Sequence, residues 1–600
     1  MYLVLVVVTI YLPSYVQAGI EDLKISLKPV MNENTGNKVE LTLENTGSET
    51  SSGNLTLDVP RQWGVKQPGY FEFKIVPGKT IKKNWTFKNA LNNPYNKYVV
   101  RVKISSKGNE IEKQVLIKGK KSASVNLGEP RSSKEISASI FGTQTHGDRK
   151  ETLPLIEKAG LKWTRNCIGW PQVEVVKGEL KVPSAHEEWV NDAVSRGINV
   201  NLILAYGNKH YPFADFEKFK KGYVNYCAFM AKSLKGKVKV WEIWNEPNNF
   251  MIIGAYGGLW NGKGKNCPWM QKFTDLVIAA AKAIREVDPN VVIISGGGNP
   301  PATHHMLAML KTKKAAHLLD GVSLHPYPYT LPPEKQAFGG ESNRLRDGLA
   351  SADDYHSYAS MVRLMKAKMK SVGMKSTDIY VTEFGFTTFN RTKGSIYEGF
   401  TPSTQAKYLT RMFIGHLVHG IKAAIQYDFK NDGTNIREAE HNFGMVEHSV
   451  RGYKPKPSYY AIQRLCSLLS SPVKEYKSKL STKVMPDRYT PSKNWKSFEP
   501  CEVRDGAKLQ PIGHVQKHLF RNGDKELILV LWNAIRATDE RQPLLTKDVV
   551  IETAEYGNPL AIDILTGKTY DIKSEVKESK TFLKDVIIPD YPIVIKMFKK

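Results

Sequence analysis

The hydrophobic rhythm of the chain changes three times along its length. The first eighteen residues, MYLVLVVVTIYLPSYVQA, are almost uniformly apolar, broken by Pro13 and closed by Val16-Gln17-Ala18. Small residues ahead of a cleavage point predict a signal peptide over residues 1–18, removed after Ala18. An N-terminal membrane anchor is the alternative, and the shortness of the run and its proline speak against it. From residue 19 to 118 short blocks such as KVELTLENTGS, YFEFKIVPG and YVVRVKISS alternate or cluster β-formers, with Gly, Pro, Asn and Ser between them. That rhythm predicts an Ig-like β-sandwich. Residues 119–134, KGKKSASVNLGEPRSS, are polar and punctuated by Gly and Pro, and read as a linker.

Between residues 135 and 471 strand-like runs alternate with helical ones. The strands are EISASIFG, LKWTRNCIG, INVNLILAYG, KVKVWEIWN, NVVIISGGG, DGVSLHPY, DIYVTEFGF and IKAAIQYDF. Amphipathic segments such as HEEWVNDAVSRG, FTDLVIAAAKAIREVD and YASMVRLMKAKMKSVG lie between them, the last with Met361, Leu364 and Met365 at helical spacing. Eight strand–helix pairs over about 340 residues predict a (β/α)8 TIM barrel. A doubly wound open sheet is the other reading, and the first strand lacks the GxGxxG turn that would favour it. From residue 472 to 600 the helical period fades, and ELILVLWNA, DVVIET and DVIIPDYPIVIKMF predict a second β-sandwich. The expected fold class is therefore α/β, a TIM barrel flanked by β-sandwiches at both ends.

Composition and charge refine this picture only slightly. Six hundred residues exceed one core, and 41% hydrophobic with 10% aromatic residues fits ordered globular domains. The net charge of +27 is spread over every segment without a basic helix or stripe, which argues against a nucleic-acid partner and for a solvated cationic surface. Such a surface admits an anionic glycan as partner. The five cysteines, at 167, 227, 267, 466 and 501, form neither a CxxC pair nor a dense disulfide framework, and Cys167 and Cys227 read as buried thiols. Asn54, Asn84 and Asn390 open N-glycosylation sequons.

Candidate chemistry then follows from geometry. In a barrel of parallel strands all C-terminal strand ends share one rim, where active sites sit. Strand four ends in Asn245-Glu246, strand seven in Thr382-Glu383, and strand six in His325-Pro326-Tyr327. Arg165 lies on strand two, Tyr206 ends strand three, and Gln426-Tyr427-Asp428 ends strand eight, with Trp170, Trp241 and Trp244 nearby. Paired carboxylates with aromatic walls are what glycoside hydrolysis needs: one protonated to serve the leaving oxygen, one ionised to meet the anomeric carbon. Each residue taken singly also fits a plainer role: a solvated strand end for either glutamate, a core position for Tyr206 or Trp170, an ion pair for Arg165. Two strand-end carboxylates on one rim outweigh that reading for Glu246 and Glu383.

WEIWNEPN and VTEFGF resemble the two catalytic signatures of clan A glycoside hydrolases, and HPY is similar to the clan's histidine–tyrosine motif. AGLKWTRNCIGWPQVEVVKG, NFGMVE and KPKPSYYAIQRL look like segments of glycoside hydrolase family 39, as does a C-terminal sandwich. The resemblance covers roughly residues 135–470. It implies a retaining glycosidase with Glu246 as acid/base and Glu383 as nucleophile. Asn245 would bind the sugar 2-hydroxyl, His325 and Tyr327 would orient the carboxylates, and Arg165 would keep Glu383 charged. Where many clan members carry a tryptophan on strand eight, this chain has Gln426-Tyr427. The mechanism calls for no metal and no cofactor. The rival from another class is a non-catalytic carbohydrate-binding or cell-surface protein on the same barrel.

Overall fold

The computed structural model describes residues 20–600 apart from 33–35, 59–69, 87–97, 118–126, 128, 147–148, 249–267, 336–356, 470–473, 476–481, 485–514 and 538–544. The expected signal peptide, the first half of the 119–134 linker, Cys267 and Cys501 lie outside these residues. Two antiparallel sheets form the N-terminal domain, one of three strands and one of four, between Leu23 and Ile117. Alternation sends Val39, Leu41, Leu43 and Trp85 from one sheet against Leu55, Phe73, Val100 and Val102 from the other, all buried. That shared apolar layer is what makes the pair a sandwich.

Eight parallel strands then close into a barrel, with Ala423–Gln426 pairing to Phe141–Gln144 to complete the ring. Closure excludes the doubly wound sheet. Residues facing the axis include Val240, Ile294, Tyr380, Ala423 and Ile425, while the alternate positions pack outward against helices. Those helices carry the caps their sequences supply: Asp215, Asn299, Ser357 and Thr401 each accept a hydrogen bond from the backbone three residues on. The first barrel strand starts later than the expected 135–142. Before it, the Phe141 amide donates to Ser139 Oγ and the Ser139 carbonyl accepts from Trp163 Nε1, so these groups are spent locally instead of in a ladder. Cys227 is buried as expected, whereas Cys167 ends barrel strand two only half-buried.

The C-terminal domain stacks a six-stranded on a four-stranded antiparallel sheet, and its apolar core is continuous with that of the barrel. Polar locks cross the junction. Lys407 on helix Pro402–Val418 holds both carboxylate oxygens of Asp590, at 2.9 and 3.0 Å, with both side chains buried. Nearby, Arg411 pairs with Glu334, and Trp532 of the C-terminal domain donates to the same carboxylate at 2.7 Å. Glu334 lies on the chain that follows barrel strand six, so the second sandwich braces the segment beyond Tyr327. Removing one member of a buried pair strands the other. Lys407→Met is therefore expected to lower unfolding stability by roughly 3–5 kcal/mol, read by chemical denaturation.

Three histidines at this junction make the fold acid-sensitive. Burial pushes His416 down to about 3, with His419 adding to it, and burial holds His419 and His518 down to about 4. Each is neutral in the folded chain, whereas an unfolded histidine takes up a proton below about pH 6.5. Stability is thus complete above that pH and falls as the pH drops from about 6.5 toward 4. The midpoint of thermal unfolding is expected to be several degrees lower at pH 5 than at pH 7. His416→Gln, which cannot charge, should narrow the gap.

Candidate active site

Barrel strand four, Val238–Ile243, points Val240 and Glu242 inward and Trp241 and Ile243 outward. Trp244 and Glu246 follow with φ of 69° and 44°, a left-handed turn that tips the Glu246 side chain onto the rim. The turn is held by the Glu246 amide, which donates to the Gly297 carbonyl at 2.8 Å, and by Trp269 Nε1, which donates to the Pro247 carbonyl. Strand seven, Asp378–Phe384, loses regular register against strand eight between Val381 and Phe384, and that irregularity turns both Thr382 and Glu383 toward the axis. Gly385 comes next. A β-carbon there would lie 2.2 Å from the Tyr427 carbonyl, so only glycine lets strands seven and eight approach this closely below the site.

Arg165 is fully buried and ties the site together. Its Nε donates to Glu242 at 2.7 Å, Nη1 donates to Gln144 and to Glu383 at 2.5 Å each, and Nη2 donates to Asn245 at 2.7 Å. Burial favours loss of its proton, but the charges of Glu242 and Glu383 more than reverse this, so the guanidinium stays charged. Asn245 passes the contact on, donating to the Tyr206 hydroxyl at 2.9 Å. Tyr327 donates its hydroxyl to Glu383 at 3.0 Å, and burial, then the Glu383 charge, keep that phenol protonated. His325 Nδ1 lies 2.8 Å from Glu246 and 3.5 Å from Glu383. One carboxyl oxygen from each glutamate and a His325 ring nitrogen lie within 4.8 Å of one another. The Glu383 side chain is 9% exposed and that of Glu246 27%, so the first sits deep in the pocket and the second nearer its mouth.

The structure therefore gathers Glu246, Glu383, Asn245, His325, Tyr327, Arg165 and Tyr206 in one bowl. Tyr427 joins them on a wall with its ring 5.3 Å from Phe443, 5.6 Å from His146 and 6.5 Å from Tyr327. Trp170 does not join them. It is fully buried, stacks on Tyr211 at 5.0 Å, and its Nε1 donates to Glu174 at 2.7 Å, so the ring belongs to the core behind strands two and three. Trp241 and Trp244 are likewise core side chains. The aromatic wall is made instead of Tyr327, Tyr397, Tyr427 and Phe443, with ring centroids 5.3–6.5 Å apart.

Sequence reasoning passed over several charged members of this site. Glu242 is fully buried between Arg165 and Thr382. His146 bridges Asp428 at 3.2 Å and Asp432 at 2.8 Å. Burial opposes its charge, yet the two aspartates push it up to about 10, which makes it an imidazolium at neutral pH. Glu440, on the short helix Glu440–Asn442, stands at the exposed rim; the loss of solvent around its carboxyl, and then the Glu383 charge, push it up to about 7.

Residues 125–419 match the sequence model of the cellulase family, glycosyl hydrolase family 5. No curated protein sequence matches the chain. Among solved structures, a family 39 glycoside hydrolase from the gut symbiont Bacteroides cellulosilyticus WH2 is similar with a TM-score of 0.54 at 19% identity, covering 96% of this chain and 100% of its own. A β-glycosidase scores 0.38 at 15% identity over 57% of this chain and 92% of its own. A family 10 endoxylanase from a sugarcane soil metagenome scores 0.37 at 17% identity over 54% and 96%. With two strand-end glutamates facing each other across a closed (β/α)8 barrel whose residues 125–419 match a glycosyl hydrolase family model, the chain is similar to the glycoside hydrolases. In fold it is similar to the family 39 structure, with an N-terminal sandwich, a barrel and a C-terminal sandwich in one chain.

Proposed function

We propose that this protein is a secreted retaining glycosidase that cleaves O-glycosidic bonds of a polysaccharide or oligosaccharide by double displacement. One observation supports the stereochemistry: one carboxyl oxygen of Glu246 and one of Glu383 lie within 4.8 Å of each other. Retaining enzymes hold their carboxyls about 5–5.5 Å apart, whereas inverting ones need about 6.5–9.5 Å to admit a water between them. Glu383, bonded by Arg165 and Tyr327, is the nucleophile; its lone pair attacks the anomeric carbon as the bond to the leaving oxygen breaks. Glu246, more open to solvent, gives its proton to that oxygen and then takes one from the water that releases the sugar. Asn245, oriented by Arg165 and Tyr206, is placed to bond a sugar hydroxyl. The apolar run ending at Ala18 supports export to the extracellular space, the periplasm or the cell surface. The charge of +27 supports association with an anionic glycan.

A panel of polysaccharides and aryl glycosides, with product sizing and proton NMR of the first-formed anomer, tests this reading. Release of sugar with retained anomeric configuration is the expected result. An inverted product would overturn the double displacement, and binding without any release across the panel would favour the non-catalytic reading.

A further inference from the structure

We propose that Glu242 and Thr382, acting through His325, keep the catalytic proton on Glu246 in the resting enzyme; the proposal rests on the assignment of Glu246 as the acid. Four side chains from three strands form an unbroken chain. Glu246 meets His325 Nδ1 at 2.8 Å, His325 Nε2 meets Thr382 Oγ1 at 3.0 Å, and the Thr382 hydroxyl meets Glu242 Oε1 at 2.9 Å. His325, Thr382 and Glu242 are buried, so no solvent rearrangement can reverse the chain.

The direction of each bond follows from the far end. Glu242 Oε2 accepts from Arg165 Nε at 2.7 Å and from Asn201 at 3.3 Å. A guanidinium always donates, so Glu242 is an acceptor at both oxygens. The single hydroxyl proton of Thr382 is then committed to Glu242, and toward His325 the Thr382 oxygen can only accept. Nε2 therefore carries the ring proton. In the neutral ring this leaves Nδ1 as a bare lone pair, 2.8 Å from a carboxyl oxygen. That contact is a hydrogen bond only if Glu246 donates into it. The opposite tautomer would turn the Thr382 proton away from Glu242 and leave a buried carboxylate oxygen without its donor.

The step itself balances without His325 or Thr382 gaining or losing a proton. When the glycosidic bond breaks, its electron pair goes to the leaving oxygen, which takes the Glu246 proton. Ionised Glu246 then faces the Nδ1 lone pair, a repulsion that resists ionisation and restores the proton from the incoming water. His325, Thr382 and Glu242 are positioning residues here. Other groups also face Glu246 or His325: Glu383 from strand seven, Tyr327 after strand six, Tyr397 after strand seven, and Glu440 after strand eight. None of these is altered by a change at Thr382, so such a change isolates the relay.

The test compares wild type, Thr382→Val and Thr382→Ser on a phenyl and a 2,4-dinitrophenyl glycoside of the sugar the panel selects. Valine keeps the shape and removes the hydroxyl, which frees His325 to donate from Nδ1 and stabilise ionised Glu246. The basic limb of kcat/KM should move down by about one pH unit. At neutral pH the phenyl glycoside should lose about tenfold and the dinitrophenyl glycoside almost nothing, because it leaves without a proton. Serine should restore both. Equal losses on the two substrates with an unmoved limb would overturn the relay and leave Thr382 a packing residue. Should valine fail to fold, nitrogen NMR of His325 in the wild-type protein decides: a protonated Nε2 with a bare Nδ1 supports the relay, and an imidazolium or an Nδ1–H overturns it. Glu246→Ala is measured alongside, and a loss there that ignores the leaving group would fell the acid assignment itself.

Discussion

Glu383→Gln is expected to lower kcat by on the order of 10⁴- to 10⁶-fold while leaving the fold intact. The amide has the shape of the carboxylate: its oxygen can still accept from Arg165 Nη1, and its NH2 can donate to a reoriented Tyr327 hydroxyl, partners that in the native site lie 2.5 and 3.0 Å away. Arg165 also keeps Glu242, at 2.7 Å, so no buried charge is left alone. What is lost is the nucleophilic lone pair, and with it the covalent intermediate. The midpoint of thermal unfolding should therefore stay close to that of wild type. In parallel, intact-mass analysis of the native enzyme with an activated, slowly released substrate should show one glycosyl adduct, mapped to Glu383 and missing from the glutamine variant. Near-normal turnover in that variant would remove Glu383 from the mechanism.

The site strands were readable because three of them run into residues that disfavour a continued strand: Pro247 after Glu246, Pro326 after His325 and Gly385 after Phe384. Two glutamates at two such ends pointed to one rim without knowledge of any contact. The inner charges also lie within reach of period-two counting. Val240 and Glu242 share a face, as do Tyr380 and Thr382 and, on strand two, Trp163 and Arg165. Parity puts Arg165 and Glu242 on the same inner face, where a buried carboxylate and a buried guanidinium need each other. Parity fails at Glu383 itself, where the register irregularity lets neighbours 382 and 383 both face the axis. Trp170 escapes such counting for a different reason. It opens a short helix, Trp170–Val173, and only the contacts of that helix decide whether the ring faces the cleft or the core. His146 and Glu440 lie on the chain after strands one and eight, where no period exists to orient a side chain. The two aspartates beside His146 and the loss of solvent around Glu440 shift their protonation, and both are properties of the assembled rim.

Glu246→Ala should divide the reaction by leaving group. Departure of a poor leaving group needs the proton that Glu246 supplies, so kcat/KM on a phenyl glycoside should fall by about 10²- to 10⁴-fold. A dinitrophenyl group departs as a stable anion and should be released from the sugar, as the glycosyl group passes to Glu383, at nearly the native rate. Release of the glycosyl group from Glu383 then becomes the slow step, because water has lost its base. A burst of phenol followed by slow turnover is the expected trace. Azide needs no general base and fits the space that alanine opens, at a position where the native side chain is 27% exposed and so reachable from solvent. Added azide should raise the steady-state rate and divert the product to a glycosyl azide of the same anomeric configuration as the substrate. A glycosyl azide of the opposite configuration would mean that azide had attacked the substrate directly, on the face left open by a nucleophile that does not work, and the roles of the two glutamates would have to be exchanged.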